Sequence, residues 1–380
     1  MPYITVPRTT SSRQLTLDDV FNEVLPTWFG NEQNTHDTVT RYVEYVTPKV
    51  AERFDYNDIK YNFECFNREF RDLIETADKS TLYHSFKIPK RSGGLRQIDD
   101  PCPRLREAIE RLRMILESRL KFTYHTNAMA YIESRSVLTA CQRHQASGAR
   151  WRLKTDLHGF FPSSNEAWVL GMLERTFPLS EYVRQGDSYR REFERAMSIC
   201  FLRGGLPQGS PASPMITNQM MIPIDHAIAE MCRSNKPHLC YTRYADDMDF
   251  SSAYDFNWGD VYSKIKGILA GFDAPFSFND KKTRYGRMGW MLGIRFSDEG
   301  ALTVGAEKKA VFRAMLNSFA FSYKNGEPWD LEETQHLQGL YSYYRGIEKE
   351  HTDKLVKKAG EKAGINILEA IKEIIRKHAA

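Results

Sequence analysis

The segment Tyr241–Ser252, YTRYADDMDFSS, constrains this chain more than any other. Its aromatic and small residues alternate as in a β-strand, yet two adjacent carboxylates, Asp246 and Asp247, sit at its centre and Asp249 follows close behind. Two like charges side by side repel by ~4 kcal/mol at about 4 Å when the effective dielectric is about 20. Folding alone gives little reason for that placement at a strand turn, so something cationic is expected there. Side chains alternate faces along a strand, but at a hairpin tip the alternation relaxes and neighbouring carboxylates can approach a shared ion. Asp156, ending the strand-like RLKTD, can join them from an adjacent strand. Such hard oxygen ligands suit Mg2+, which keeps waters and substrate phosphates in its shell. A pair of such ions ~3.5–4 Å apart can activate an attacking hydroxyl and stabilise a leaving pyrophosphate. A bare Asp-Asp is more often a solvated acidic turn, so the surrounding segments decide.

At 380 residues, 41% hydrophobic and 27% charged, the composition is that of a globular protein with room for two or three subdomains. No apolar run approaches the ~18 residues of a membrane span, and the N-terminus lacks the apolar segment of a secretory signal. The expected location is the cytoplasm, with no membrane partner. Six cysteines without a C-x-x-C pair argue against a structural zinc site and a disulfide framework. A net charge of +4 leans only mildly towards polyanions.

No internal repeat or low-complexity linker divides the chain. The part up to about Ser80 reads as helical, with TLDDVFNEVL opening on a Thr cap. In LYHSFKIPKRSGGLRQIDDP, two strand-like pieces joined by Ser92-Gly93-Gly94 read as a hairpin with a flexible tip. Leu105, Ile109, Leu112, Leu116 and Leu120 recur at helix spacing. WRLKTDLHGFFPSS reads as a strand ending at a Pro-Ser turn, and a helix is expected through MITNQMMIPIDHAIAEM. From roughly Gly305 the chain is mostly helical and ends on an apolar stripe of Ile367, Leu368, Ile371, Ile374 and Ile375, read as core packing. This order of helices and strands predicts an α+β protein whose antiparallel sheet carries the acidic residues.

YADD in a strand-turn-strand, LPQGSPASP upstream and KTDLHGFFPS before that together resemble the reverse transcriptases, specifically the bacterial group that includes retron, group II intron and phage-defence enzymes. The likeness runs roughly from Lys87 to Gly293, and the ordered set is far more specific than any one motif. It implies a right-hand polymerase fold: an N-terminal helical extension and fingers over 1–145, a palm over 146–304 and a short helical thumb over 305–380. It also implies nucleotidyl transfer assisted by two Mg2+ ions, for which Mn2+ can substitute. By resemblance, Asp156 and Asp246 are the principal ligands of both metals and Asp247 the third carboxylate beside the primer end. Asp249 lies outside the motif and reads as structural, paired with a nearby basic residue.

The same resemblance places Gln208 near the incoming nucleotide and template. Phe161 is the aromatic beneath the sugar that leaves no room for a 2′-hydroxyl, while Phe160 beside it is core. Lys90 and Arg96, flanking the Gly-Gly tip, are the basic pair for the dNTP triphosphate, with Arg91 able to share the role. Lys282 in FSFNDKKTR is a candidate general acid near the pyrophosphate. Leu292 and Gly293 in WMLGIRF form the primer grip.

Two segments depart from the retron pattern. Ala140 and His144 stand one residue further apart than in the Asn-Ala-x-x-His element, and Met291-Leu292-Gly293 replaces Val-Thr-Gly. His144 therefore reads as a packing or RNA-contact residue, and a defence-associated subgroup stands beside the retron one. Tyr341, Tyr343, Tyr344 and Arg345 either stack on bases or pack between thumb helices. The expected function is an RNA-directed DNA polymerase that copies a structured cognate non-coding RNA into DNA from dNTPs, in anti-phage defence and alongside an effector or partner protein. The alternatives are template-independent or protein-primed DNA synthesis, and an RNA-binding scaffold or toxin-neutralising component. Three intact carboxylates weigh against the scaffold.

Overall fold

The computed structural model describes residues 54–90 and 93–379. The TLDDVFNEVL helix and, at the hairpin tip, Arg91 and Ser92 lie outside the described residues. The described residues form two compact units, one of residues up to 134 with 152–251 and 255–285, the other of residues 135–151, 252–254 and 286 onward.

Among the described residues the first unit opens with the helix Tyr56–Glu69, at whose N-terminus the Asp55 carboxylate accepts from the Asp58 N–H at 3.0 Å. Its buried Phe63 meets Phe193 of the helix Asp187–Met197 edge-on, with ring centroids 5.8 Å apart. Strands β1 (Tyr83–Pro89) and β2 (Leu95–Pro101) follow as an antiparallel hairpin in register from Tyr83↔Pro101 to Pro89↔Leu95. The tip turns through Gly93 and Gly94, both at positive φ, as the hairpin reading requires. The helix Pro103–Ser118 then buries Leu105, Ile109, Leu112 and Leu116, and Leu120 just beyond it is buried as well.

The centre of this unit is a five-stranded sheet. Strands β3 (Trp151–His158), β4 (Cys240–Tyr244), β5 (Asp247–Ser252) and β6 (Ser277–Phe278) lie in the order β4-β5-β3-β6, and β7 (Arg284–Arg287) completes it. The β4–β5 pair is antiparallel from Cys240↔Ser251 to Tyr244↔Asp247, which leaves Ala245 and Asp246 as a two-residue turn. Two expectations change. Strand β3 ends at His158, where Gly159 at φ 65° reverses the chain into a one-turn helix, Phe160–Ser163, instead of running on to a Pro-Ser turn. The single helix expected through MITNQMMIPIDHAIAEM is two, Ser213–Met220 and Ile222–Ser234. Pro223 has no N–H to give the preceding turn but is well suited to the first turn of a new helix.

In the second unit, strands β8 (Trp290–Met291), β9 (Ile294–Phe296) and β10 (Leu302–Thr303) form a small antiparallel sheet. The helix Val137–Ala146, started by a capping box between Ser136 and Thr139, packs on it, and Cys141 Sγ reaches Met291 O at 3.5 Å. Four helices follow: Ala306–Lys324, Leu331–Ile347, Lys349–Ala363 and Ile367–Ala379. Phe312, Leu316, Phe319, Leu337, Val356, Ile367, Ile371 and Ile374 make their common core, with Leu368 and Ile375 packed at its margin, so the C-terminal stripe is core as expected. None of the six cysteines is in a disulfide, and no helix among the described residues is long and apolar enough to cross a membrane.

A close backbone approach tests this packing. A Cβ on Gly205 would stand 2.1 Å from the Pro162 carbonyl oxygen. Gly205→Ala is expected to lower unfolding free energy by about 2 kcal/mol in denaturant titration, because backbone rather than a side-chain end must move. An unchanged midpoint would contradict the approach.

Candidate active site

Alternation along β3 places Arg152, Lys154 and Asp156 on one face, while Leu153, Thr155 and Leu157 on the other are all buried. Along β5, Met248 and Phe250 are buried at zero exposure, and Asp247 and Asp249 share the opposite face. The two polar faces meet as rungs of opposite charge. Arg152 pairs with the buried Asp249, and Lys154 Nζ stands 2.7 Å from Asp247 Oδ1. Asp249 therefore has the basic partner that its place outside the motif suggested.

The expected meeting of Asp156 with the YADD turn occurs through the backbone. Leu157 N–H donates to Asp246 O at 3.0 Å, so residue 156 lies beside the turn that carries Asp246. On its other side, the Asp156 carbonyl accepts from Asn279 N–H at 2.8 Å, at the start of the loop that carries Lys282. Lys282 Nζ then donates to both Asp156 carboxylate oxygens, at 2.9 and 3.0 Å. The Asp156 hydrogen bond holds the Lys282 ammonium above its ordinary pKa. Burial first, and the Asp156 charge second, push the Asp246 carboxyl from 3.8 up to about 6. The cluster thus brings together Asp156, Asp246, Asp247 and Lys282. Among the described residues no three carboxylate, histidine or cysteine side chains are grouped so as to hold a metal ion by themselves. An open set of carboxylates fits Mg2+, whose remaining ligands come from water and substrate phosphate.

Phe160 is buried at 2% exposure, as a core ring should be, and Phe161 beside it is half-buried. Lys90 and Arg96 are exposed on the β1–β2 hairpin, where Lys90 closes the tip by donating its N–H to Gly94 O at 2.9 Å. Gln208 is half-buried, and its carbonyl accepts from Asp99 N–H of β2 at 2.7 Å. Leu292 and Gly293, at φ 48° and 85°, are the two-residue turn between β8 and β9. They belong to the second unit, as does the fully buried His144. In that unit Tyr344 packs against Phe312, Tyr341 and Arg345 both bond Asp353, and Tyr343 stays 38% exposed.

Three features escaped the sequence reading. Lys154 was legible in principle, since it stands two residues before Asp156 and hence on the same strand face. Arg243 was not. Its side chain is fully buried, with Nε 2.8 Å and Nη2 2.7 Å from the two oxygens of the equally buried Asp225, Nη2 3.2 Å from Asn218 Oδ1, and Nη1 donating to Ala245 O at 3.1 Å. Tyr241 Oη also donates to Asp225, at 2.8 Å. Ala245 is a non-glycine residue at φ 57°, so the guanidinium holds the carbonyl of the strained residue that turns the chain into Asp246. Tyr131 is the third. The strap leading to it is bonded to β4 on both sides of Arg243, by Arg243 N–H to Asn127 O and Met129 N–H to Arg243 O, each 2.8 Å. Tyr131 itself is 57% exposed at φ 61°, and partial burial, then the Asp246 charge, raise its phenol pKa while Arg96 lowers it.

Residues 88–296 match the sequence profile described as reverse transcriptase (RNA-dependent DNA polymerase). The retron Ec83 reverse transcriptase of Escherichia coli is 30% identical over 303 residues, covering 76% of this chain and 91% of that relative. The retron Mx65 reverse transcriptase of Myxococcus xanthus is 30% identical over 293 residues, 73% of this chain and 64% of that relative. Among solved structures, apo telomerase from Candida tropicalis superposes at a TM-score of 0.46 and 12% identity over 83% of this chain and 64% of its own.

Two outcomes check the electrostatics. Arg243→Met strands the Asp225 charge in the core, and equilibrium unfolding should show a loss of about 3–5 kcal/mol; a loss below about 1 kcal/mol would mean the pair does not hold the turn. Asp246 binds its proton more tightly folded than unfolded, so it adds stability below the unfolded carboxyl pKa that is lost as pH rises through about 6. In metal-free buffer, Asp246→Asn should remove that part of the pH slope between about 4 and 7, which thermal melts across the range would read.

Proposed function

The chain belongs to the reverse transcriptase family, within its bacterial retron group, and from that premise we propose that it copies a structured cognate non-coding RNA into DNA by two-metal nucleotidyl transfer, in anti-phage defence. Membership makes it an RNA-directed DNA polymerase with the right-hand fold. On the proposed division, residues 1–145 hold the N-terminal extension and fingers, 146–304 the palm and 305–380 the thumb. The observation that carries the chemical reading is the hydrogen bond from Leu157 N–H to Asp246 O, which sets Asp156 beside the YADD turn.

Asp156, Asp246 and Asp247 would hold the metal. Burial and mutual repulsion that raise the Asp246 pKa are what a divalent cation would relieve. When bound, Mg2+ supplies a lower pKa for the primer hydroxyl and neutralises charge on the leaving pyrophosphate. The chain's own groups do the rest. Lys90 and Arg96 draw the dNTP triphosphate to the hairpin by charge-assisted hydrogen bonds. Phe161 fills the space a 2′-hydroxyl would need, and Gln208 lines the nucleotide and template side. Lys282, kept protonated by its bond to Asp156, offers a proton to pyrophosphate once that bond is exchanged. Leu292 and Gly293 support the primer end, and an RNA partner is held mainly through shape and phosphates.

The test is to purify the full chain with its bound nucleic acid, add Mg2+ and labelled dNTPs, and sequence the product. A product complementary to co-purified RNA is expected, and Asp156→Asn should lower its yield by at least about 1,000-fold. A homopolymer or random product would favour template-independent synthesis. Phe161→Ala is expected to admit rNTPs, and unchanged sugar selectivity would remove that assignment.

A further inference from the structure

The loop Leu202–Gly209 touches each element that the proposed function gives to the nucleotide. It opens with a tight bridge, Leu202 N–H to Gly205 O at 2.8 Å and Gly205 N–H to Leu202 O at 3.1 Å, which carries Arg203 at its tip in the left-handed region, φ 50°. The next residues lie against the sugar side. Leu206 N–H donates to Phe161 O at 3.0 Å, and Gly205 has no room for a Cβ because of Pro162 O. The far end lies against the hairpin. Gln208 O accepts from Asp99 N–H at 2.7 Å, and a Cβ on Gly209 would stand 2.7 Å from Asp99 O.

At this second junction is a polar knot that the chemistry above does not use. Asp99 is 6% exposed, and its Oδ1 accepts from Ser85 Oγ at 2.6 Å, Gln97 Nε2 at 3.1 Å and Arg203 Nη1 at 3.0 Å. Arg203 Nη2 also reaches Ser85 Oγ at 3.2 Å, so one guanidinium spans both hairpin strands from the loop tip. Burial pushes the Asp99 carboxyl up, but the hydrogen bonds from Ser85, Gln97 and Arg203 outweigh it and hold it below its ordinary value.

We propose that Asp99 and Arg203 are positioning residues for nucleotide selection: their ion pair locks the β1–β2 hairpin to the Leu202–Gly209 loop, and so fixes the distance between the triphosphate-binding basic pair and the Phe161 ring. This rests on the assignments of Lys90, Arg96 and Phe161 above. A triphosphate held by the hairpin sets where the sugar falls. If the hairpin shifts on its loop, the same sugar meets Phe161 at the wrong depth, so binding and sugar discrimination weaken together. The loop has little slack of its own, because backbone closes on it at Pro162 and at Asp99.

Arg203 is 53% exposed in its side chain, so its variants should fold. The experiment measures single-nucleotide incorporation by the full chain on poly(rA)·oligo(dT), with dTTP or UTP. Arg203→Ala is expected to raise KM for dTTP about tenfold with kcat within about twofold, and to reduce the preference for dTTP over UTP. Arg203→Lys, which keeps the charge but cannot span Asp99 and Ser85 with one fork, should recover only part of both. A merely structural role would lower the melting temperature and the active fraction, hence kcat, and leave KM and sugar preference in place. Unmoved KM and preference in Arg203→Ala overturn the proposal. Phe161→Ala run alongside separates the layers, since admission of UTP by that variant with an unmoved Arg203→Ala sinks the latch and leaves the sugar-gate reading standing.

Discussion

Carboxylate repulsion, and the cations arranged against it, is the constraint on which the centre of this molecule depends. Asp156, Asp246 and Asp247 lie within one turn and one strand of each other, and each added charge makes the next harder to ionise. The chain answers with ammonium and guanidinium groups: the loop between β6 and β7 places Lys282 on Asp156, and strand alternation places Lys154 on Asp247 and Arg152 on Asp249. The first two pairs are partly exposed, which is what the proposed chemistry needs if substrate and ion are to replace them. The third is almost dry and is structural. A gradient from permanent to replaceable pairing along a single sheet is what a site needs if it is to be stable when empty and still accept a polyanion.

Behind the sheet, the Arg243–Asp225 pair does a different job. Removing two full charges from water is costly, and the geometry offsets that cost by satisfying several guanidinium donors at once. In return the pair ties a helix, strand β4 and the Ala245 carbonyl to one point, which fixes the strained turn from which Asp246 projects. The Leu202–Gly209 loop applies the same logic at the edge of the site, with glycines at the two places where another backbone comes too close for any side chain.

Local chemistry was legible where a residue type has only one structural use. Gly93-Gly94 between two strand-like runs gave the hairpin, the helical repeat of Leu105, Ile109, Leu112 and Leu116 gave the Pro103–Ser118 helix, and period-two alternation gave β4 and β5. Prolines and glycines were read less well. Pro223 starts a helix where a continuous one was expected, and Gly159 ends β3 before the Pro-Ser pair does, because one backbone dihedral decides each case. The motif departures around His144 and Met291 left the retron group and a defence-associated one side by side. The chain belongs to the retron group, since similarity spread over 303 residues outweighs two local substitutions.

The sequence by itself determined the family, because KTDLHGFFPS, LPQG and YADD in that order are hard to assemble for any other purpose, and with it which carboxylates, basic hairpin and aromatic are proposed for the chemistry. It could not determine what holds them. Arg243 is one arginine among many until the fold buries it against Asp225, and Arg203 looks like a solvated loop charge until β2 comes to rest on the same loop. Partners 18 and 104 positions apart are joined only by packing. Catalytic identity is written in short segments because reacting groups must be close to a substrate. Positioning is written across the whole chain, because a charge is held in place by whatever the fold brings beside it.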